Sequence, residues 1–175
     1  MSRKLAILLS VLVTGVLLDQ LTKVLVIRHL PLGGQIPVIE GFFNLVHTRN
    51  RGAAFGLLSH LSLEVAWLFF LGTTSLVILV VGYLWWRVPV GEAAASEKTR
   101  QDLMGLGYSL ILTGAVGNLV DRLRLKEVVD FLDFYLGRHH WPAFNIADTL
   151  VCLGAALLAL VILTEKETPH VSHSV

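Results

Sequence analysis

Long apolar runs separated by short polar stretches set the pattern of this chain. Residues 5–18 are apolar and the run resumes at 24–27, past Asp19, Gln20 and Lys23, so a helix over about residues 5–27 reaches across a bilayer. A second run, 65–86, ends in Trp85, Trp86 and Arg87, residue types that anchor a helix at the membrane interface. Third and fourth spans are predicted over 103–121 and 146–164. Between the first two spans, Pro31, Gly33, Gly34 and Pro37 break any helix, while residues 36–48 are rich in β-branched and aromatic side chains in short alternations. That predicts an extended or hairpin element outside the hydrocarbon core. A polar stretch over about 87–102 reads as a surface loop, and about 165–175 as a disordered tail. The fold class expected is an all-α membrane protein of one domain, residues 1–175, with four transmembrane helices and a small β-like cradle.

Composition agrees with the pattern. Hydrophobic residues make up 54% of the 175 and charged residues only 15%, far greasier than a soluble domain of this length. A formal net charge of +1 and the absence of a basic run with interleaved aromatics argue against a nucleic-acid partner. Arg3 and Lys4 before an apolar run have the parts of a secretory signal peptide, but no A-x-A-like site follows, so the segment reads as a retained span. Cys152 is the one cysteine; it has no partner for an intrachain disulfide and is expected to be a small packing residue.

Chemistry concentrates in residues 117–148, which carry Asp121, Asp130 and Asp148 beside apolar neighbours. Carboxylates at a membrane boundary are costly to desolvate and point to function. Gly114, Gly117, Asn118 and Asp121 share one helical face, and Asp148, Cys152, Ala155 and Ala159 share another; small residues let membrane helices approach, so the two stripes are expected to face each other. Asp121 has Arg122 and Arg124 beside it, which suits a structural clamp. Asp130, in VVDF, has an apolar setting that raises a carboxyl pKa and suits a proton donor. If Asn145 caps the fourth helix, Asp148 falls in its first turn, where the helix dipole favours an anion and hence a base. Asp19 and Lys23, spaced i,i+4, pair on one helix face, either as part of the site or to make that helix end tolerable. The segment NRGAAFG, from Asn50 and Gly52 onward, suits either a groove lining or a plain turn. No zinc or nucleophile-elbow motif occurs, and no histidine lies in the apolar runs to activate Ser109; His139 and His140 read as interfacial. From these residues alone an acid–base pair, a proton-coupled transporter and a membrane scaffold all stay open.

DQLTK at 19–23, NRGAAFG at 50–56, GNLVDR at 117–122, VVDF at 128–131 and FNIAD at 144–148 resemble, in order and spacing, the lipoprotein signal peptidases (signal peptidase II). The resemblance covers about residues 15–163. It implies a metal-independent, cofactor-free aspartyl endopeptidase of the bacterial inner membrane, acting as a monomer on prolipoproteins that carry diacylglycerol on a cysteine, with membrane lipid around it. It implies Asp130 and Asp148 as the catalytic pair, with Asp19, Lys23, Asn50, Gly52, Asn118, Asp121, Arg122 and Asn145 supporting or lining the site. It also implies both termini in the cytoplasm and the active site near the outer face. Basic residues, six on the side of the termini against eight on the side of the aspartates, lean the other way.

Overall fold

The computed structural model describes residues 2–51, 62–89 and 94–164. Among them are four helices long and apolar enough to cross a membrane: α1 (Arg3–His29), α2 (Leu63–Arg87), α3 (Ala95–Leu125) and α4 (Ile146–Leu163). Local signals set their ends. Ser2 and Ser62 cap α1 and α2, each hydroxyl accepting a backbone N–H of the first turn. Pro31 and Pro89 stand just beyond the ends of α1 and α2, where a helix cannot continue. α3 stops where Lys126 adopts a left-handed conformation, φ 61°. It starts at Ala95, ahead of the expected residue 103, because its polar first turns are helix-forming residues that extend beyond the apolar run. The expected tail from residue 165 lies outside the described residues.

α3 is the central helix. Half of its apolar window is buried inside the protein, against 6–17% for the other three, whose outer faces are left to lipid. Small residues make this possible. A Cβ at Gly114 would run into the Ala147 carbonyl of α4, and one at Gly117 would lie 2.8 Å from Asp19 Oδ2 of α1. The expected α3 stripe of Gly114, Gly117, Asn118 and Asp121 is therefore the buried one.

Its partner stripe on α4 is not the expected one. Ala147, Gly154 and Val161 are buried, whereas Cys152, Ala155 and Ala159 are exposed. The buried set repeats every seven residues, the period of close left-handed packing; the set expected from Asp148 drifts off that seam. Cys152 is accordingly not a packing residue but a free, exposed thiol.

Outside the bundle, β1 (Gln35–Ile39), β2 (Phe43–Asn50), β3 (Val128–Leu136) and β4 (His139–His140) form an antiparallel sheet in that order. The hairpin of β1 and β2 is the extended element expected over 36–48. β3 and β4 were not foreseen, although VVDFLDFYL has the β-branched and aromatic content of a strand. The sheet joins the end of the bundle where α1 and α3 finish and α4 begins. His47 is tied there to the Leu30 carbonyl just past α1, its Nδ1 2.8 Å away.

Candidate active site

Three elements bring the aspartates together. β3 places Asp130 between Val129 and Phe131, and all three are buried. Pairing of Thr48 with Asp130 and of Asn50 with Val128 sets Asn50 diagonally beside the carboxylate, and Asn50 Nδ2 donates to Asp130 Oδ2 at 2.9 Å. At the start of α4, Asn145 and Asp148 form a reciprocal capping box: Asp148 N donates to Asn145 Oδ1 at 2.9 Å, and Asn145 N donates to Asp148 Oδ2 at 3.3 Å. Asp148 thus stands in the first helical turn, as the spacing from Asn145 predicted.

Asn145 also links the two carboxylates. With its Oδ1 committed to the Asp148 amide, its Nδ2 is turned toward Asp130 Oδ1, 2.7 Å away. Asn118, on α3, plays the matching part for Asp148. Its Oδ1 accepts from Lys23 Nζ at 3.2 Å and from Asn145 Nδ2 at 3.3 Å, so its Nδ2 faces Asp148 Oδ1 at 2.7 Å. Two asparagines, each fixed in orientation by its own oxygen, hold the pair.

Burial and the nearby charge of Asp148 push the Asp130 carboxyl up to about 6, against the hydrogen bonds from Asn50 and Asn145 and the charge of Lys23, which favour its ionised form. A proton on this pair accordingly has a natural place on Asp130.

Behind the pair lies a buried charge cluster. Lys23 Nζ is 2.9 Å from Asp19 Oδ2 and 2.9 Å from Asp121 Oδ2, with all three side chains withdrawn from solvent. The expected i,i+4 pair is therefore present, and it is also tied to α4, since Asp19 Oδ1 accepts the Ala147 amide at 2.9 Å. Asp121 does not pair with Arg122, contrary to the expectation from their adjacency. Neighbouring residues on a helix point about 100° apart, and Asp121 faces Lys23, Gln20 Nε2 at 3.0 Å and the amide of Val129 at 3.1 Å. Through that last bond it fixes the start of β3, one residue from Asp130.

Arg122 turns the other way. It donates to the Asn118 carbonyl at 3.2 Å and lies 5.9 Å from the Phe70 ring centroid. A cavity of about 310 Å³ opens here between α2, α3 and α4, lined by Thr73, Thr74, Val77, Ala115, Asn118, Arg122, Asp148, Val151 and Cys152. Its walls are mostly apolar in area and include Asp148 of α4 and Arg122 of α3, so it offers an acidic group and a cation to a molecule entering from between the helices.

Sequence reasoning missed Gln20, which joins Asp19, Asp121 and the Gly117 carbonyl, and Trp67, whose Nε1 donates to the Arg122 carbonyl at 2.8 Å. Gln20 had a signal, its place beside Asp19 in an apolar helix. Trp67 had none. Gly52 lies outside the described residues. Ser109 is buried, its hydroxyl bonded to the Gly105 carbonyl at 2.6 Å and so engaged within its own helix. His140 is drawn onto Asp133, Nδ1 to Oδ1 2.8 Å, within the sheet, and no group of three or more His, Cys, Asp or Glu side chains among the described residues is placed to hold a metal ion.

Residues 11–164 match the family described as signal peptidase (SPase) II. The chain belongs to the signal peptidase II family. It is 43% identical over 170 residues to a lipoprotein signal peptidase of Nitratidesulfovibrio vulgaris, covering 97% of this chain and 96% of that one. It is 46% identical over 149 residues to one of Desulforapulum autotrophicum, covering 85% and 86%. Two solved structures described as a bacterial membrane enzyme superpose with TM-scores of 0.73 and 0.72, at 29% and 31% identity, over 96% and 91% of this chain and 94% of each of those. Family membership makes the chain an aspartic-type protease, and its four apolar helices make it a multi-pass bacterial membrane protein.

Proposed function

We propose that Asp130 and Asp148 are the catalytic pair of this protease and that it cuts a prolipoprotein just before a cysteine carrying diacylglycerol. The observation that supports the pair above all is the Asn145 side chain, which bonds the Asp130 carboxylate and the Asp148 amide at once. The other two aspartates of the cluster, Asp19 and Asp121, are buried and both paired with Lys23.

The reaction follows from one proton on the pair. Ionised Asp148 takes a proton from water as the water oxygen bonds to the scissile carbonyl carbon, while Asp130 donates its proton to the carbonyl oxygen. The tetrahedral diol then collapses: Asp148 passes its proton to the leaving cysteine nitrogen, the C–N bond breaks, and a diol hydroxyl returns a proton to Asp130. Asn50, Asn118 and Asn145 hold the carboxylates through this exchange, while Asp19, Lys23 and Asp121 fix the helix and strand that carry them. Arg122 faces the entering substrate from the wall of the cavity, whose apolar part suits acyl chains that remain in the bilayer.

In this reading the chain is a single membrane domain working as a monomer in the inner membrane. Both termini are cytoplasmic and the carboxylates lie near the outer face. A direct test incubates the purified protein with a precursor in diacylglyceryl-modified and unmodified form and weighs the products. The expected result is a mature chain beginning at the lipidated cysteine, from the modified precursor only. Equal cleavage of both forms would contradict the lipid requirement, and cleavage of neither would contradict the activity.

A further inference from the structure

A second concave site lies at the other end of the bundle. Arg3 stands about 30 Å along α1 from Lys23 by helical rise. There a cavity of about 240 Å³ is lined by Arg3, Lys4 and Lys98, with Asp102 as the one acidic residue among the described residues that line it. Among the described residues, three cations against one carboxylate leave the lining a net positive charge of two. Arg3 spends part of its charge on Asp102, 3.3 Å away, but its side chain stays 71% exposed. Lys4 is held in place by the carbonyls of Trp86 and Val88, at 3.2 and 2.7 Å, and lies 4.4 Å from the Trp85 ring centroid. Lys98, in the first turns of α3, is exposed.

The depth of this site is set by its neighbours. Trp86 is 70% exposed beside Arg87 at the end of α2, the placement of an anchor at headgroup level. The Trp85 indole N–H is buried without a hydrogen-bond partner among the described residues, so the same cluster retains a donor. A neighbouring cavity of about 630 Å³ shares Arg3, Ile7, Lys98 and Asp102 and continues along Leu103 and Leu106. Cations at the mouth and aliphatic side chains toward the bilayer core form a two-part surface. A soluble anion would use only the first part.

We propose that this site binds one anionic phospholipid, its phosphate held by Arg3, Lys4 and Lys98 and an acyl chain lying along Ile7, Leu103 and Leu106. The lipid would tie α1 to the start of α3 at the end of the bundle remote from the carboxylates, and none of these residues belongs to the catalytic machinery.

The test uses the full chain in bilayer discs of equal phosphatidylglycerol and phosphatidylcholine, with the lipid retained on extraction counted by native mass spectrometry. At roughly fivefold per net basic charge facing an anionic rather than a zwitterionic headgroup, wild type retains phosphatidylglycerol over phosphatidylcholine by roughly 25-fold. Arg3→Ala with Lys98→Ala brings the ratio near one, and Lys98→Glu alone lowers it without touching α1. Arg138→Ala, an exposed cation at the sheet end, leaves the ratio unchanged. Thermal unfolding of each variant confirms that it is folded. Equal retention of the two lipids by wild type, an unchanged ratio in the double variant, or an equal fall in Arg138→Ala would overturn the proposal. So would displacement of the lipid by millimolar glycerol 3-phosphate, which would make the site one for soluble anions.

Discussion

At the scale of residues, the site depends on which carboxyl keeps a proton. The Asp130 proton is bound up to about pH 6. Cleavage that needs it falls as pH rises through about 6, with a slope of one proton, in a profile of kcat/KM for a lipidated precursor; the apparent value belongs to the pair. Stability carries the same signature. The folded chain holds this proton more tightly than the unfolded one, whose carboxyl titrates near 3.8. The contribution is fully present below 3.8 and is lost as pH rises to about 6. Thermal unfolding across that window shows the fall in wild type and a smaller one in Asp130→Asn. The buried charges give a second expectation. Lys23→Met leaves Asp19 and Asp121 facing each other without a cation and costs about 3–5 kcal/mol in denaturant unfolding. Both features were partly legible in the chain: VVDF announced a desolvated carboxyl and DQLTK an i,i+4 pair. What adjacency misstated was Asp121, because a neighbour in sequence is not a neighbour on a helix. Its real partners come from α1 and β3.

Among the elements, small residues decide how close the bundle closes. Gly114→Ala places a methyl against the Ala147 carbonyl, one residue from Asp148. α4 must shift, at a cost of about 1–3 kcal/mol, and cleavage falls more than stability because Asn118 no longer reaches Asp148. Parallel measurement of unfolding and of turnover checks this. The apolar runs located all four spans, since length and hydropathy suffice for that, and the α3 stripe was readable from Gly114 and Gly117. The rotation of α4 was not. Asp148 sits at the edge of the seam, reached by the Asn118 side chain, while Cys152 one turn later faces outward. A stripe extended from Asp148 therefore follows the wrong face. β3 was overlooked for another reason: its strand pattern competes with the aspartates within it, and only pairing with β2 turns that pattern into the placement of Asp130.

On the scale of the whole molecule, helices from three parts of the chain and a small sheet meet at one end of the bundle, and the carboxylates lie where they join. The lateral cavity beside Asp148 and Arg122 opens between α2, α3 and α4, toward lipid, which suits a substrate delivered within the membrane. Ordered motifs in the chain were enough to point to the family, while the web of asparagines and the buried lysine needed coordinates. The basic residues that unbalance the charge count are in part members of this architecture: Lys23 is buried in an ion cluster and Arg122 lines the cavity, so neither reports simply on loop topology. The central claim is that Asp130 and Asp148 act together. It is tested most directly by purifying wild type, Asp130→Asn and Asp148→Asn and following release of the signal peptide from a diacylglyceryl-modified precursor. The account predicts release by wild type, and a fall of at least about 10³-fold in each variant while both still unfold cooperatively; near wild-type release by either variant would contradict it.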